Sequence, residues 1–286
     1  MAAPAAHPQQ RAFTHGCARG AFDARDMKLR TVTSVVTVPD ATTPVATRTA
    51  KGAPAVGVPA SVDLRDARWA AQGNRTPPVW DQGPFGSCTA HGVGAVLHFV
   101  DKTAPQDPSR CFLYYNARVL MGTTRSDSGA TVRAAMKAAA QQGYCATSLC
   151  PYPTTWARFT TRPATAAYSA ARSEILQTGW YVSVTPTLAN LKAALAGGMP
   201  IAFGFLVYAS FVEMTAPFVV PTPRRGEELL GGHCVALWGY DDSRQAFLCR
   251  NSWGASWGNA GYFWMPYSLA TNPSFAWDFW TTSRVP

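Results

Sequence analysis

Apolar positions in the first half of the chain recur at helical spacing. After Cys88 they fall on one face through residues 93–100, and Ser87 stands where a helix N-cap is expected. Protein helices commonly end at a glycine, and two of the helices predicted next do so. Three further helices are predicted: about Arg110 to Leu120, near Gly129 to Gly143, and a segment capped by Thr187 that ends at Gly197-Gly198.

The second half carries short runs of apolar and aromatic residues, which are typical of strands. Turn signals such as Asp241-Asp242 and Gly258-Asn259 separate them. Helices that come first and strands that come later predict an α+β protein with two lobes. The predicted strands are Ile201–Tyr208, His233–Tyr240, Ala246–Arg250 and Gly261–Met265.

The first 58 or so residues have a different composition. They are rich in Ala, Pro and Thr, contain no Trp or Tyr, and include one β-like run at Thr31–Val38. We predict an N-terminal extension over 1–58 and a folded domain over 59–286. Within that domain we expect a helical lobe over about 60–165 and a β-rich lobe over about 166–286.

Composition excludes several classes. The chain has 286 residues, of which 47% are hydrophobic and 14% charged, as suits a chain that buries a sizeable core. Its net charge of +9 is spread thinly without a Lys/Arg cluster, so we expect no nucleic-acid partner. No apolar run reaches about 18 residues, so no membrane span is expected. We find no secretory signal pattern, and intracellular, virion and endolysosomal-type compartments all stay open.

Seven cysteines are an odd number, so at least one lacks an intramolecular partner. They show no paired CxxC spacing, and we therefore expect no structural zinc site. Cys145 and Cys150 are close enough in sequence to pair across a short loop, which the sequence leaves open.

The segment Gln82-Gly83-Pro84-Phe85-Gly86-Ser87-Cys88 predicts a tight irregular loop followed by a helix. A thiol at a helix N-terminus meets unpaired N–H groups and the positive end of the macrodipole, both of which favour an anion. Because the thiolate is the nucleophilic form of cysteine, Cys88 is the candidate nucleophile. Its own N–H and the Gln82 amide are candidate donors to an oxyanion.

Two later segments supply its candidate partners. His233 opens an apolar strand behind two glycines, 145 residues after Cys88. Asn251 lies 163 residues after Cys88 in the segment NSWGASWG. An asparagine amide can accept from an imidazole nitrogen and fix its tautomer, and Trp253 can shield that hydrogen bond from water. His91 is a competing base, but a first-turn neighbour of Cys88 would crowd the thiol rather than face it.

At these three segments the chain resembles the papain/cathepsin family of cysteine peptidases, and in particular its divergent bacterial and viral branch with a GSCT box. The resemblance covers about residues 60–280 and implies a papain-like fold with the active site in a cleft between the lobes. Phe85 stands where the family has a disulfide cysteine and Thr89 where it usually has Trp, so that family disulfide is expected to be absent.

The resemblance implies peptide-bond hydrolysis by a thiolate–imidazolium pair, with protein or peptide substrates, no metal or organic cofactor, and a monomer. Cys88, His233, Asn251 and Gln82 would be catalytic. The residues expected to contact substrate are Gly129 in a weakly matching glycine-rich stretch, Gly232 beside the pocket for the second residue upstream of the cut, Trp253 and Trp257.

Two alternatives remain: a catalytically silent homologue that acts as a binding protein, and a Cys-His acyl transferase. The first should have lost a catalytic residue, and the second normally completes its triad with Asp. Members of the resembled family are commonly made as zymogens, and the change in composition before residue 59 together with the stretch Ser61-Val62-Asp63-Leu64-Arg65 suits a propeptide over the N-terminal extension. A flexible arm and a targeting peptide are the alternatives for this segment.

Overall fold

The computed structural model describes residues 17, 28–29, 58–102, 107–153, 155–175 and 181–282. Within them helices dominate the chain up to Ile175, and strands dominate from Tyr181 onward. This order confirms the α+β prediction. The β-like run Thr31–Val38 lies outside the described residues.

The helices of the described part are unequal in length, and the two longest belong to the first half of the chain. They are α1 (Ala67–Ala71), α2 (Cys88–Val100), α3 (Arg110–Met121), α4 (Val132–Gln142), α5 (Trp156–Thr160), α6 (Thr165–Ile175), α7 (Leu188–Ala196), α8 (Ala209–Val212) and α9 (Tyr267–Ala270).

At three helices, α3, α4 and α7, a side-chain oxygen at the N-cap accepts a backbone N–H of the first turn. Thr187 accepts a hydrogen bond from the backbone N–H of Asn190 at 3.2 Å, as the sequence predicted for α7. Helix α4 begins at Val132 rather than near Gly129, because Thr131 has extended backbone and accepts from Ala134 N–H at 2.9 Å.

The strands form one sheet of eight, ordered β1-β3-β8-β4-β5-β6-β7, with β2 paired to β5. All pairs are antiparallel except β1 with β3. The four predicted strands correspond to β4 to β7, whereas β1, β2, β3 and β8 were not predicted. The bounds are β1 (Lys28–Leu29), β2 (Ser61–Asp63), β3 (Tyr181–Val184), β4 (Ile201–Tyr208), β5 (Leu229–Asp241), β6 (Ala246–Arg250), β7 (Tyr262–Pro266) and β8 (Ala276–Thr282).

Helix α2 lies across the sheet at β5, and this packing positions the site. Every residue from Cys88 to Phe99 is buried, so the helix is covered on all sides. At the crossing a Cβ on Gly92 would lie 2.9 Å from the Cys234 sulfur, so only glycine allows this approach. The N-terminus of α2 is thereby held against the part of β5 that contains His233.

The seven cysteines all lie in the described part, and each is a free thiol. The pairing considered for Cys145 and Cys150 is not formed. The Cys150 thiol instead interacts with the thiol of Cys111, at the start of α3. Ser109 fastens this region, since its backbone N–H donates to the Cys145 carbonyl at 2.8 Å and its hydroxyl to the Cys150 carbonyl at 2.5 Å.

Candidate active site

Cys88 is the first residue of α2 and is fully buried. Its sulfur lies against the backbone N–H of Cys234, the residue that follows His233. It also lies near the N–H groups of Thr89 and of Cys88 itself, which a helix start leaves without intrahelical partners. The fold therefore brings the predicted nucleophile to the strand that carries the predicted base.

His233 is held by Asn251 and covered by Trp253. The His233 Nε2 atom and the Asn251 Oδ1 atom are 2.8 Å apart, and Oδ1 also accepts from the Ser252 N–H at 2.8 Å. The Trp253 ring lies over the imidazole with centroids 4.9 Å apart and an angle of 31° between the planes. Because Trp253 is only 1% exposed, it keeps water from this hydrogen bond.

Gln82 is fixed at both ends of its side-chain amide. Its Oε1 accepts from the Ser252 hydroxyl at 2.7 Å, and its Nε2 donates to the Phe85 carbonyl at 2.7 Å. Its backbone N–H donates to the Ser252 carbonyl at 2.8 Å. The nucleophile loop is thus fastened to the residue after Asn251, a role for Ser252 that sequence reasoning missed.

Ser87 stands at the N-cap of α2, but its hydroxyl makes no cap hydrogen bond, which corrects the sequence prediction. The hydroxyl instead donates to the Tyr152 phenol at 2.6 Å, and that phenol donates to the Gln82 carbonyl at 2.8 Å. A tyrosine that is distant in sequence therefore links the two ends of the nucleophile loop.

Asp127 is another residue whose role in the site the sequence did not reveal. Its carboxylate accepts the Gly86 N–H at 2.9 Å and 3.1 Å, and it accepts the Tyr114 phenol at 2.5 Å. Tyr114 in turn accepts the Gly129 N–H at 3.1 Å. We call Asp127 and Tyr114 the carboxylate tether, since they join the nucleophile loop to the loop before α4. The position of Phe85, where the resembled family has a disulfide cysteine, is the one signal that another link was needed.

His91 does not occupy the position of a base. Its Nδ1 lies 3.0 Å from the Ser87 carbonyl oxygen, which fixes the proton on that nitrogen. Burial lowers the pKa of His91 to about 3, and the Arg110 charge adds to this effect. The imidazole is therefore neutral at physiological pH and belongs to the packing of α2.

Burial also sets the protonation of the central pair. It raises the pKa of the Cys88 thiol to about 12 and lowers the pKa of His233 to about 4, although the Asn251 hydrogen bond partly opposes the second shift. Burial of this pair therefore favours a neutral thiol and a neutral imidazole. The thiolate–imidazolium pair that the sequence resemblance implies stays a prediction.

Cys17, a residue of the predicted N-terminal extension, lies between β5 and the loop before α4, a space that we call the groove. The Cys17 N–H donates to the Gly232 carbonyl at 3.1 Å, and Cys17 forms a parallel β-bridge with Ala130. Gly232 is one of the residues predicted to contact substrate, whereas Ala130 is the neighbour of the predicted Gly129. Peptide backbone is therefore bound beside the predicted active site.

Trp253 and Trp257 lie in a buried aromatic cluster. Their ring centroids are 4.9 Å apart, and both pack against Phe211 at 5.5 Å. This position supports the shielding of His233, and contact of either tryptophan with substrate stays a prediction.

Within the described ranges, no group of three or more His, Cys, Asp or Glu side chains could hold a metal ion. Nor does that part of the chain contain a helix with the length and apolar character needed to cross a membrane.

Comparison with known proteins gives concordant matches. The sequence model of the papain family of cysteine proteases matches residues 58–273. The crystal structure of xylellain, a cysteine protease from Xylella fastidiosa, superposes with a TM-score of 0.79 at 32% identity, over 96% of this chain and 97% of that one. The peptidase C1-like protein L477 of Acanthamoeba polyphaga mimivirus is 34% identical over 219 residues, 72% of this chain and 69% of that protein.

More distant matches agree on the fold. The cathepsin B-like CP3 of Giardia intestinalis is 28% identical over 65% of this chain and 63% of its own length. Digestive procathepsin L 3 of Tenebrio molitor has a TM-score of 0.59 at 19% identity, over 82% of this chain and 73% of that one. The predicted papain-like α+β fold is confirmed.

Proposed function

The chain belongs to the papain family of cysteine proteases, and on that premise we propose that it is an active endopeptidase with Cys88 as nucleophile and His233 as its base. The observation that carries the proposal is that the His233 Nε2 atom lies 2.8 Å from the Asn251 Oδ1 atom, beneath the Trp253 ring. The Cys88 sulfur lies against the same strand that contains His233. An oriented base next to a nucleophile at a helix start is the arrangement that covalent catalysis requires.

The reaction runs in two halves. His233 takes the Cys88 proton, and the sulfur attacks the peptide carbonyl carbon to form a tetrahedral intermediate. His233 then gives the proton to the amine as the C–N bond breaks, which leaves a thioester on Cys88. Water, deprotonated by His233, attacks the thioester, and the acid product leaves as the thiol is restored.

Two donors are assigned to the negative oxygen of the intermediate. One is the Cys88 N–H at the start of α2, and the other is the Gln82 amide. Because that amide carries two N–H bonds and Phe85 accepts one of them, the other is available to substrate. A contact of this type contributes about 2.7–4 kcal/mol to the reaction.

The extension would keep the enzyme latent. Cys17 lies on Gly232, and burial of Cys88 and His233 favours their uncharged forms. Removal of the extension would admit water to both side chains, so the pKa of Cys88 would fall and the pKa of His233 would rise. The opposed shifts would favour transfer of the Cys88 proton to His233, which forms the thiolate–imidazolium pair.

The decisive experiment labels the reduced protein with a vinyl-sulfone probe and follows the cleavage of fluorogenic dipeptides. Wild type should be labelled on Cys88 and should release fluorophore, whereas the matched Cys88→Ala variant should do neither. Mass spectrometry of the same sample reports whether the extension is removed. A folded, reduced wild type from which the extension has been removed, and which neither labels nor cleaves, would exclude the proposed activity. Labelling without cleavage would favour the acyl-transferase alternative.

A further inference from the structure

Cys17 spans the groove and is bound there through its backbone. Its N–H donates to the carbonyl of Gly232, the residue before His233, and it pairs with Ala130 in the loop before α4. The residue is only 6% exposed. The protein thus presents an occupant of its own beside the proposed nucleophile, and that occupant shows what the groove accepts.

The Cys17 side chain fills a pocket between Gly204 on β4 and the ring of Trp277 on β8. A Cβ on Gly204 would lie 2.9 Å from the Cys17 sulfur and 2.8 Å from the Trp277 ring. The sulfur also contacts the backbone N–H of Val132 at the start of α4. With cysteine seated, the floor of this pocket therefore has no room for one further methyl group.

A second glycine admits the backbone of the occupant. A Cβ on Gly232 would collide with the Cys17 carbonyl oxygen, so a side chain here would lift any bound peptide away from the strand. The glycine at this position is explained by the close approach of a second chain segment. Because His233 follows directly, the bound segment lies within reach of the proposed chemistry.

The pocket is also unfavourable to charge. Burial raises the pKa of the Cys17 thiol well above its ordinary value, and Cys234 is the next contributor. The nearby Asp278 carboxylate is already engaged, since it accepts Trp280 Nε1 at 2.6 Å and the Arg133 N–H at 3.2 Å. A charged side chain would therefore be desolvated without a free partner.

We propose that the pocket formed by Gly204, Gly232 and Trp277 makes the enzyme selective for a small, uncharged side chain at the second residue upstream of the cleaved bond, and that Cys17 fills this pocket in the covered form. The inference rests on the proposed peptidase activity. A larger side chain would have to displace the Trp277 ring, and overpacking of this kind typically costs about 1–3 kcal/mol, or about 5- to 160-fold.

The first test is a panel of fluorogenic dipeptides that differ only at that residue, with Ala, Ser, Val, Leu, Phe and Arg. The kcat/KM for Ala and Ser should exceed that for Phe and Arg by about 10-fold or more. If Cys88 labels with the probe but Phe or Arg is cleaved as well as Ala, the pocket inference is wrong while the peptidase proposal stands. In protein from which the extension has been removed, absence of both labelling and cleavage would overturn the two together.

Two variants alter the pocket in opposite directions. Gly204→Ala should lower kcat/KM for the Ala substrate because its methyl group occupies the floor. Trp277→Ala should instead raise the ratio of Phe to Ala cleavage, since it opens the wall. An unchanged ratio in a folded Trp277→Ala protein, checked by circular dichroism, would contradict the role of this ring.

The last test needs no catalysis and uses the full chain. Cys17→Trp should increase the rate at which iodoacetamide alkylates Cys88, because tryptophan cannot enter the pocket and the cover loosens. Cys17→Ala, which fits, is the matched control and should leave the rate near that of wild type. Equal alkylation rates in the three proteins would show that Cys17 does not hold the cover in place.

Discussion

The two sides of the groove are held together by different kinds of interaction. On the sheet side, His233, Asn251 and Trp253 are fixed by strand pairing and by a buried aromatic cluster. On the helical side, the nucleophile loop depends on the carboxylate tether and on the Ser87–Tyr152 hydrogen bond. The first side is stabilised mainly by apolar burial and the second mainly by polar contacts, so they should respond differently to mutation and to pH.

The largest effect is expected on the sheet side. Trp253→Ala should lower the free energy of unfolding by about 3–5 kcal/mol, because it removes a fully buried indole from a cluster with little room to collapse. Activity should also fall, since water would reach the His233–Asn251 hydrogen bond. Urea unfolding measures the first effect, and Trp253→Phe is the control that keeps a ring and should lose less. A stability loss under about 1 kcal/mol would show that the aromatic cluster does not dominate this side.

A smaller effect is expected on the helical side. Asp127→Ala leaves the Gly86 N–H and the Tyr114 phenol without their acceptor, which should cost about 1–3 kcal/mol. Because Gly86 is two residues from Cys88, kcat should fall as well. Asp127→Asn keeps an acceptor oxygen and should retain more of both. If unfolding and kinetics of the Ala and Asn variants match wild type, the carboxylate tether does not support the nucleophile loop.

The smallest effect is expected in the pH dependence of the free energy of unfolding, to which buried histidines on both sides contribute. Burial lowers the pKa of His233 to about 4 and of His91 to about 3, below the ordinary value, so the unfolded chain binds protons first as the pH falls. Their stabilising contribution is complete above about pH 6.5 and decreases as the pH falls toward these folded values, by about 1 kcal/mol for each histidine at pH 5.5.

Urea unfolding at pH 7.5, 6.5 and 5.5 measures this dependence. His91→Phe removes the contribution of one ring and should leave about two-thirds of the change, because burial also lowers the pKa of His98 on α2 to about 4 and that ring contributes as His233 does. Stability that stays constant between pH 7.5 and 5.5 would contradict the neutral, buried state of both rings.

Local patterns in the sequence were enough for the central elements. The helical spacing after Cys88, the cap at Thr187 and the four apolar runs all correspond to elements in the structure. Strands β1 and β2 were missed because they have only two and three residues. Strand β3 alternates but has only four residues, and β8 does not alternate regularly, so both are defined mainly by the strands they pair with.

The sequence by itself was enough to predict the proposed catalytic residues, because Cys88, His233, Asn251 and Gln82 stand in short motifs whose residue types suit a definite chemistry. Only the tertiary structure decided how that set is supported and covered. Asp127, Tyr152 and Cys17 act through partners 41, 65 and more than 200 residues away in the chain, and no local pattern encodes a contact that chain folding alone creates. Protonation was likewise decided by burial, since the pKa of a thiol or an imidazole depends on the water that the surrounding fold excludes.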